Sequence, residues 1–158
     1  MTDNRISLCL LVRDDAATVG NLLAKLRPHV DQIVVVDTGS VDASPSICKP
    51  YCDVWETYLA CNDPATELIE DFAQARNRAL ELASGAWHFW ADADDDIVGA
   101  ENLRALTSRP EDSVQYLVPY EYTFDAAGRP TCIHWRENLV KPRDACKWQI
   151  PVHEVLIP

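Results

Sequence analysis

Phe89-Trp90-Ala91-Asp92-Ala93-Asp94-Asp95-Asp96 decides how this chain is read, because an apolar run ends there in four carboxylates within five residues. Unpaired charges are too costly inside a buried strand, so the strand stops at Ala91 and leaves the acids at its carboxyl end. That is where open α/β sheets place their ligands. Asp92 and Asp94 are two residues apart, and at the fraying tip of a strand both side chains can point the same way and hold one hard divalent cation. The usual partner of such a cation is a phosphate.

Working outward, Ile6 to Val12 is a continuous apolar run ended by Arg13-Asp14-Asp15, which predicts a strand buried on both faces in a parallel sheet. Val19, Leu22, Leu23 and Leu26 follow at helical spacing, and Pro28 closes that helix. Ile33 to Val36 predicts a second buried strand, ended by the turn residues Asp37-Thr38-Gly39-Ser40-Val41-Asp42, with a short helix from Ser44. A third strand is expected around Val54-Trp55-Glu56, then a surface loop from Thr57 to Glu67. Asp71 caps a helix through Ser84, with Phe72, Ala75, Ala79 and Leu82 on one stripe and Gly85 as its stop. Ala86 to Ala91 is the strand that delivers the acids.

Strand and helix therefore alternate up to the acidic cluster, the pattern of a doubly wound, mostly parallel sheet flanked by helices. The rest differs. Val114 to Val118 and Cys132 to Arg136 flank Asp125-Ala126-Ala127-Gly128-Arg129, which predicts a β-hairpin with a wide turn, and Val152 to Leu156 predicts a last strand. No linker or repeat divides the chain, so residues 1–158 read as a single α/β domain.

Composition narrows the partners. The formal charge of −11 repels polymeric nucleic acid and anionic membrane, which favours a small ligand carried by a metal. No stretch reaches the roughly 20 apolar residues of a bilayer span, and Met1-Thr2-Asp3-Asn4-Arg5 lacks a secretory leader, so a cytoplasmic protein is expected. Six cysteines with no common zinc spacing predict reduced, mostly buried thiols rather than a structural metal or a disulfide framework.

Three acidic strand ends, Arg13-Asp14-Asp15, Asp37 to Asp42 and Asp92 to Asp96, line one crevice if their strands are parallel. Asp14, Asp15, Asp42 and Asp96 read equally well as acids that line the crevice or as helix caps and solvated turns. Asp37, directly after four β-branched residues, is placed to accept from a nucleobase N–H or a ribose hydroxyl. Arg76 has two roles open to it: reaching a diphosphate, or pairing on its own helix with Glu81 or Asp71. His153 and Glu154 are adjacent, so in a regular strand they face opposite ways, and one of them is structural unless the strand has ended or bulged. His153 reads either as a ligand to a metal or phosphate or as a satisfied core histidine. Trp135, Trp148, Tyr116, Tyr120 and Tyr122 fall in the hairpin half, as core residues or as stacking platforms for sugar rings.

Together these motifs resemble the family 2 glycosyltransferases of the GT-A fold over nearly the whole chain. The carriers are Ile6 to Asp15, Val35 to Asp42, Asp71-Phe72-Ala73-Gln74-Ala75-Arg76-Asn77, and the Asp-X-Asp of Trp90 to Asp95, in the family's order and spacing. The first departs from it, since Asn-Glu is the commoner strand exit. Trp148-Gln149-Ile150-Pro151-Val152-His153-Glu154 and the upstream Arg136 are similar to the branch of lipopolysaccharide-core β-1,4-glucosyltransferases and bacteriocin S-glycosyltransferases.

The resemblance implies a nucleoside diphosphate sugar, UDP-glucose first, bound by Val12, Arg13, Asp15, Asp37, Arg76, Asp92 and Ala93. It implies Mn²⁺ or Mg²⁺ on Asp94, Asp92 and His153, and inverting transfer with Glu154 or Asp95 as base; the family's usual Glu-Asp pair is absent. Longer relatives continue past the position of Pro158, so a minimal core, or a fragment completed by a partner or a homodimer, is expected. Two other readings compete. A nucleotidyltransferase would need a Gly-rich basic segment where Ala16-Ala17 stands, and a non-catalytic fragment would bind nucleotide without turnover.

Overall fold

The structure is a computed structural model that describes residues 3–109, 114–142 and 146–157. Met1, Thr2 and Pro158, read above as the chain's start and stop, lie outside the described residues. Four strands run parallel: β1 (Ile6–Val12), β2 (Gln32–Asp37), β3 (Val54–Thr57) and β4 (Trp87–Ala91). An antiparallel pair, β5 (Gln115–Phe124) and β6 (Pro130–Val140), extends the same sheet, giving the order β3-β2-β1-β4-β6-β5.

The first connections step outward from β1, and the chain then crosses back to lay β4 on the other side of it. This reversal opens a crevice at the carboxyl ends of the strands. Register brings the acidic exits to one edge of the sheet, with Val12 opposite Asp37 and Leu10 opposite Ala91. The doubly wound pattern expected of the first half is present.

One core lies where α1 (Val19–Leu26) packs Val19, Leu22, Leu23 and Leu26 onto Leu8, Leu10, Ile33 and Val35. Each such aliphatic side chain contributes roughly 1.5–3 kcal/mol relative to remaining exposed. The other core joins Cys9, Val36 and Trp90 to α3 (Phe72–Leu82) and to a small two-stranded sheet of β7 (Lys147–Gln149) and β8 (Val155–Ile157). The short α2 (Ser44–Cys48) lies between β2 and β3. Burial pushes the Cys9 and Cys48 thiols up to about 12, so both stay protonated.

Several expectations change. Asp71 does cap α3, accepting from the Gln74 N–H at 2.9 Å, but the helix ends at Leu82 and Gly85 is not its stop. Gly85 is required by close approach instead, since a Cβ there would stand 2.8 Å from the Arg5 carbonyl and the Ser7 nitrogen on β1. The fully buried residues of α3 are Ala73, Ala75, Arg76 and Ala79, so Ala73 and an arginine join the stripe while Leu82 packs against this core only partly buried and Phe72 is half-buried. The last strand begins at Val155 rather than Val152, and its partner β7 and the helix α4 (Leu103–Thr107) had no signal in the sequence.

Candidate active site

Arg76 organises the crevice. Helix α3 carries it inward, 7% exposed, between the rings of Trp90 and Trp148, whose centroids lie 4.5 and 5.1 Å from the guanidinium carbon. The two indoles meet edge to face at 5.1 Å. Arg76 Nη2 donates to Asp92 Oδ1 at 2.8 Å, and Nε donates to Glu154 Oε1 at 2.5 Å. Neither helix partner is used, because Glu81 pairs with Arg78 at 2.8 Å and Asp71 caps the helix.

A second arginine completes the cluster. Arg136 on β6 brings both terminal nitrogens to 3.3 Å from Asp92 Oδ2 and stacks between Trp90 and Tyr120 at 4.6 and 4.5 Å. Burial alone would raise the pKa of Asp92, yet the paired guanidiniums outweigh it and hold the carboxyl below its ordinary range. Asp92 is thus a carboxylate gripped on both oxygens. This geometry fits a positioning role better than direct ligation of a metal.

The neighbouring acids have separate settings. Asp95 accepts from the Asp92 N–H at 2.9 Å and meets the hydroxyl of Tyr120, while burial pushes its pKa up. Asp94 is exposed and, among the described residues, makes no hydrogen bond or ion pair. Asp96 pairs with Lys25 at 2.7 Å on the surface.

At the other strand exits the acids build the turns. Asp14, at φ 57°, accepts from the Val41 and Asp42 N–H groups; Asp15 accepts from the Arg13 N–H; Asp42 accepts from the Ala16 and Ser44 N–H groups. Burial first, and then repulsion from Asp94, Asp42 and Asp14, raises the pKa of Asp15, so these acids share one field. Asp37 is 3% exposed and accepts from the Ser40 N–H at 3.0 Å and the Thr57 hydroxyl at 3.4 Å, which leaves part of its acceptor capacity free. Arg13 reaches across to the Thr38 carbonyl at 2.6 Å. Val12 and Ala93 are buried, so any ligand contact there would be through backbone.

His153 and Glu154 face the same space. They precede β8, and left-handed conformations at Ile150 (φ 72°) and His153 (φ 60°) kink the loop. Both line a pocket of about 220 Å³ with Trp90, Arg136, Glu137 and Trp148. The condition that the strand must have ended is met, and the inference that one of the pair faces away is corrected. Asn77 fixes the loop's root, accepting from the Trp148 N–H and donating to its carbonyl at 2.8 and 2.9 Å.

Arg136, Trp90 and Asn77 carry the geometry without a chemical role assigned from sequence, while Tyr120 and Trp148, read as core or sugar-stacking residues, stack on the two arginines instead. Arg136 and Asn77 enter the sequence reading as motif positions, and that is the signal for both. As for a metal, among the described residues no three His, Cys, Asp or Glu side chains converge at ligand distance. The donor set fits Mg²⁺ or Mn²⁺ in one way: such ions bind through one or two carboxylates and take further ligands from substrate phosphates and water. Among the described residues, Asp94 is the acid of the Asp92–Asp96 cluster whose carboxylate makes no hydrogen bond or ion pair.

The family model for glycosyl transferase family 2 matches residues 7–107, from β1 through α4. Over 154 residues the chain is 31% identical to a TPR repeat-containing protein of Synechococcus elongatus, covering 96% of this chain and 35% of that protein. Over 165 residues it is 26% identical to the lipopolysaccharide core biosynthesis glycosyltransferase LpsC of Rhizobium meliloti, covering 97% of this chain and 57% of the other. The chain therefore spans from about a third to just over half of the length of these relatives. Among solved structures, S. aureus TarS in complex with UDP-GlcNAc superposes with a TM-score of 0.53 at 21% identity, over 66% of this chain and 30% of that one. At that identity the match shows the fold.

Proposed function

The chain belongs to glycosyl transferase family 2, and we propose that it moves a hexose, glucose in our reading, from UDP to an acceptor with inversion at the anomeric carbon. The observation that carries this is the crevice itself: Arg76 and Arg136 grip Asp92, the pocket opens beside them, and Asp94 stays unengaged. Breaking the C1–O bond pushes negative charge onto the departing diphosphate. Asp94, with His153 or water, would hold a divalent ion, Mn²⁺ or Mg²⁺, and that ion would supply Lewis-acid neutralisation of the charge.

The chain's own residues do the rest. Asp37 accepts from the base or ribose with the lone pairs left by Ser40 and Thr57. Arg13, Asp15, Val12 and Ala93 border the donor, and Asp92, fixed by two guanidiniums, holds Arg76 and Arg136 in place at the crevice. Glu154 gives one oxygen to Arg76 and keeps the other for the pocket, which suits it to take the acceptor's proton; Asp95 is the second candidate. LpsC is named for lipopolysaccharide core synthesis, which supports a glycan as acceptor. A nucleotidyltransferase gains no support, since Arg13-Asp14-Asp15 offers no basic cradle for a triphosphate.

Calorimetry of UDP against the whole chain tests the reading. Binding that requires Mn²⁺ and weakens at least tenfold in Asp94→Asn is expected. Equal affinity with and without the metal refutes it.

A further inference from the structure

Beyond the pocket, β5 and β6 leave the body of the sheet. Only Leu139 and Val140 of β6 pair with β4, so the distal part of the hairpin projects as a two-stranded ribbon. An isolated ribbon of this kind is marginal in water, and exposed aromatic rings on it invite an occupant. Its two faces differ. Strand alternation puts Trp135, 65% exposed, on the face away from Arg136, where no ring contact reaches it among the described residues.

The other face is continuous with the candidate site. Arg136 stacks on Tyr120 at 4.5 Å, Tyr120 lies 6.3 Å from Tyr122, and Tyr122 meets His134 edge to face at 5.5 Å. The hydroxyl of Tyr120 meets Asp95 at the metal strand's exit. Tyr122 is 64% exposed, so its ring is offered to solvent at the end of a track that starts at Trp148 and Trp90.

We propose that this Tyr120–Tyr122–His134 face binds the acceptor, and that the acceptor presents pyranose rings. The proposal rests on the glycosyltransferase reading and adds to it the acceptor's class and seat. A tyrosine ring carries a negative π face, which suits the apolar C–H face of a pyranose, while its hydroxyl and the neighbouring imidazole are there for sugar hydroxyls. Charge favours this occupant over the alternatives. At a formal −11 the chain repels nucleic acid and a second copy of itself, whereas a neutral polyol meets no such field. Continuity with the pocket then puts the far end of the glycan beside Glu154.

Saturation-transfer NMR on the whole chain, without donor or metal, tests this with cellotetraose, maltotetraose and chitotetraose as probes. Transfer from aromatic protons to the ring protons of at least one probe is expected. Tyr122→Ala should weaken binding by roughly three- to tenfold, the worth of one aromatic stacking contact. Trp135→Ala, on the opposite face, should leave it unchanged. Matched melting curves would show that each variant folds. No transfer from any probe, or loss in Trp135→Ala with retention in Tyr122→Ala, overturns the proposal. A concentration-dependent dimer in ultracentrifugation that Tyr122→Ala abolishes also overturns it. The UDP titration is independent: its failure would sink the donor reading whatever the glycans do, and its success beside silent glycan spectra sinks only this inference.

Discussion

The two halves of the sheet are stabilised by opposite means. In β1, β2 and β4 every residue but Leu11 and Gln32 is buried, and the strands are held by aliphatic packing from helices on both faces. In β5 and the outer part of β6 most residues are exposed, and what holds them is ladder hydrogen bonding and ring contacts. The family match shares this boundary, ending at residue 107 before β5 begins. A buried parallel core can be a common scaffold, whereas an exposed ribbon is free to differ with what it touches.

The contrast can be broken by substitution. Arg76→Ala joins the two halves' fates: it leaves Asp92 and Glu154 without their shared partner in a largely buried setting, and a loss of about 3–5 kcal/mol is expected in denaturant unfolding. A loss below about 1 kcal/mol would show that water replaces the guanidinium. Leu10→Ala, in the parallel core, should cost about 2–5 kcal/mol, while Leu117→Ala on the ribbon should stay within about 0.5 kcal/mol. Equal costs would erase the difference between the halves.

Acid sharpens it further. His88 on β4 is 5% exposed, its Nδ1 has no hydrogen-bond partner among the described residues, and burial, opposed only in part by the Gly85 backbone, lowers its pKa to about 4. Between about pH 6.5 and about 4 the unfolded chain binds the proton more readily, so stability falls as pH drops through that window, by about 3 kcal/mol in total. The slope should flatten in His88→Phe. Asp94→Asn is the smallest expected effect on stability, within about 0.5 kcal/mol, because its side chain is exposed and bears no structural load.

Legibility followed the same division. β1, β2 and β4 were readable because strands buried on both faces must be continuous apolar runs, and the acids mark where burial ends. The crevice was readable because parallel strands end on one side. Arg76's true partners were not, since Glu154 lies 78 residues away and no local pattern signals it. Gly85 looked like a helix stop because the sequence shows a glycine after a helix but not the β1 backbone against it. β6 is legible only over Cys132 to Arg136 because a ribbon exposed on both faces carries no hydrophobic alternation, and the three residues of β7 fall below any periodicity. His153 and Glu154 defeated the alternation rule through two left-handed residues that neither glycine nor asparagine announces.

A crystal soaked with UDP and Mn²⁺, measured at a wavelength where manganese scatters anomalously, addresses the central claim most directly. One anomalous peak is expected in contact with an Asp94 carboxylate oxygen and beside the diphosphate, with Asp92 still held by Arg76 and Arg136. A diphosphate bound with no ion beside Asp94 would contradict it.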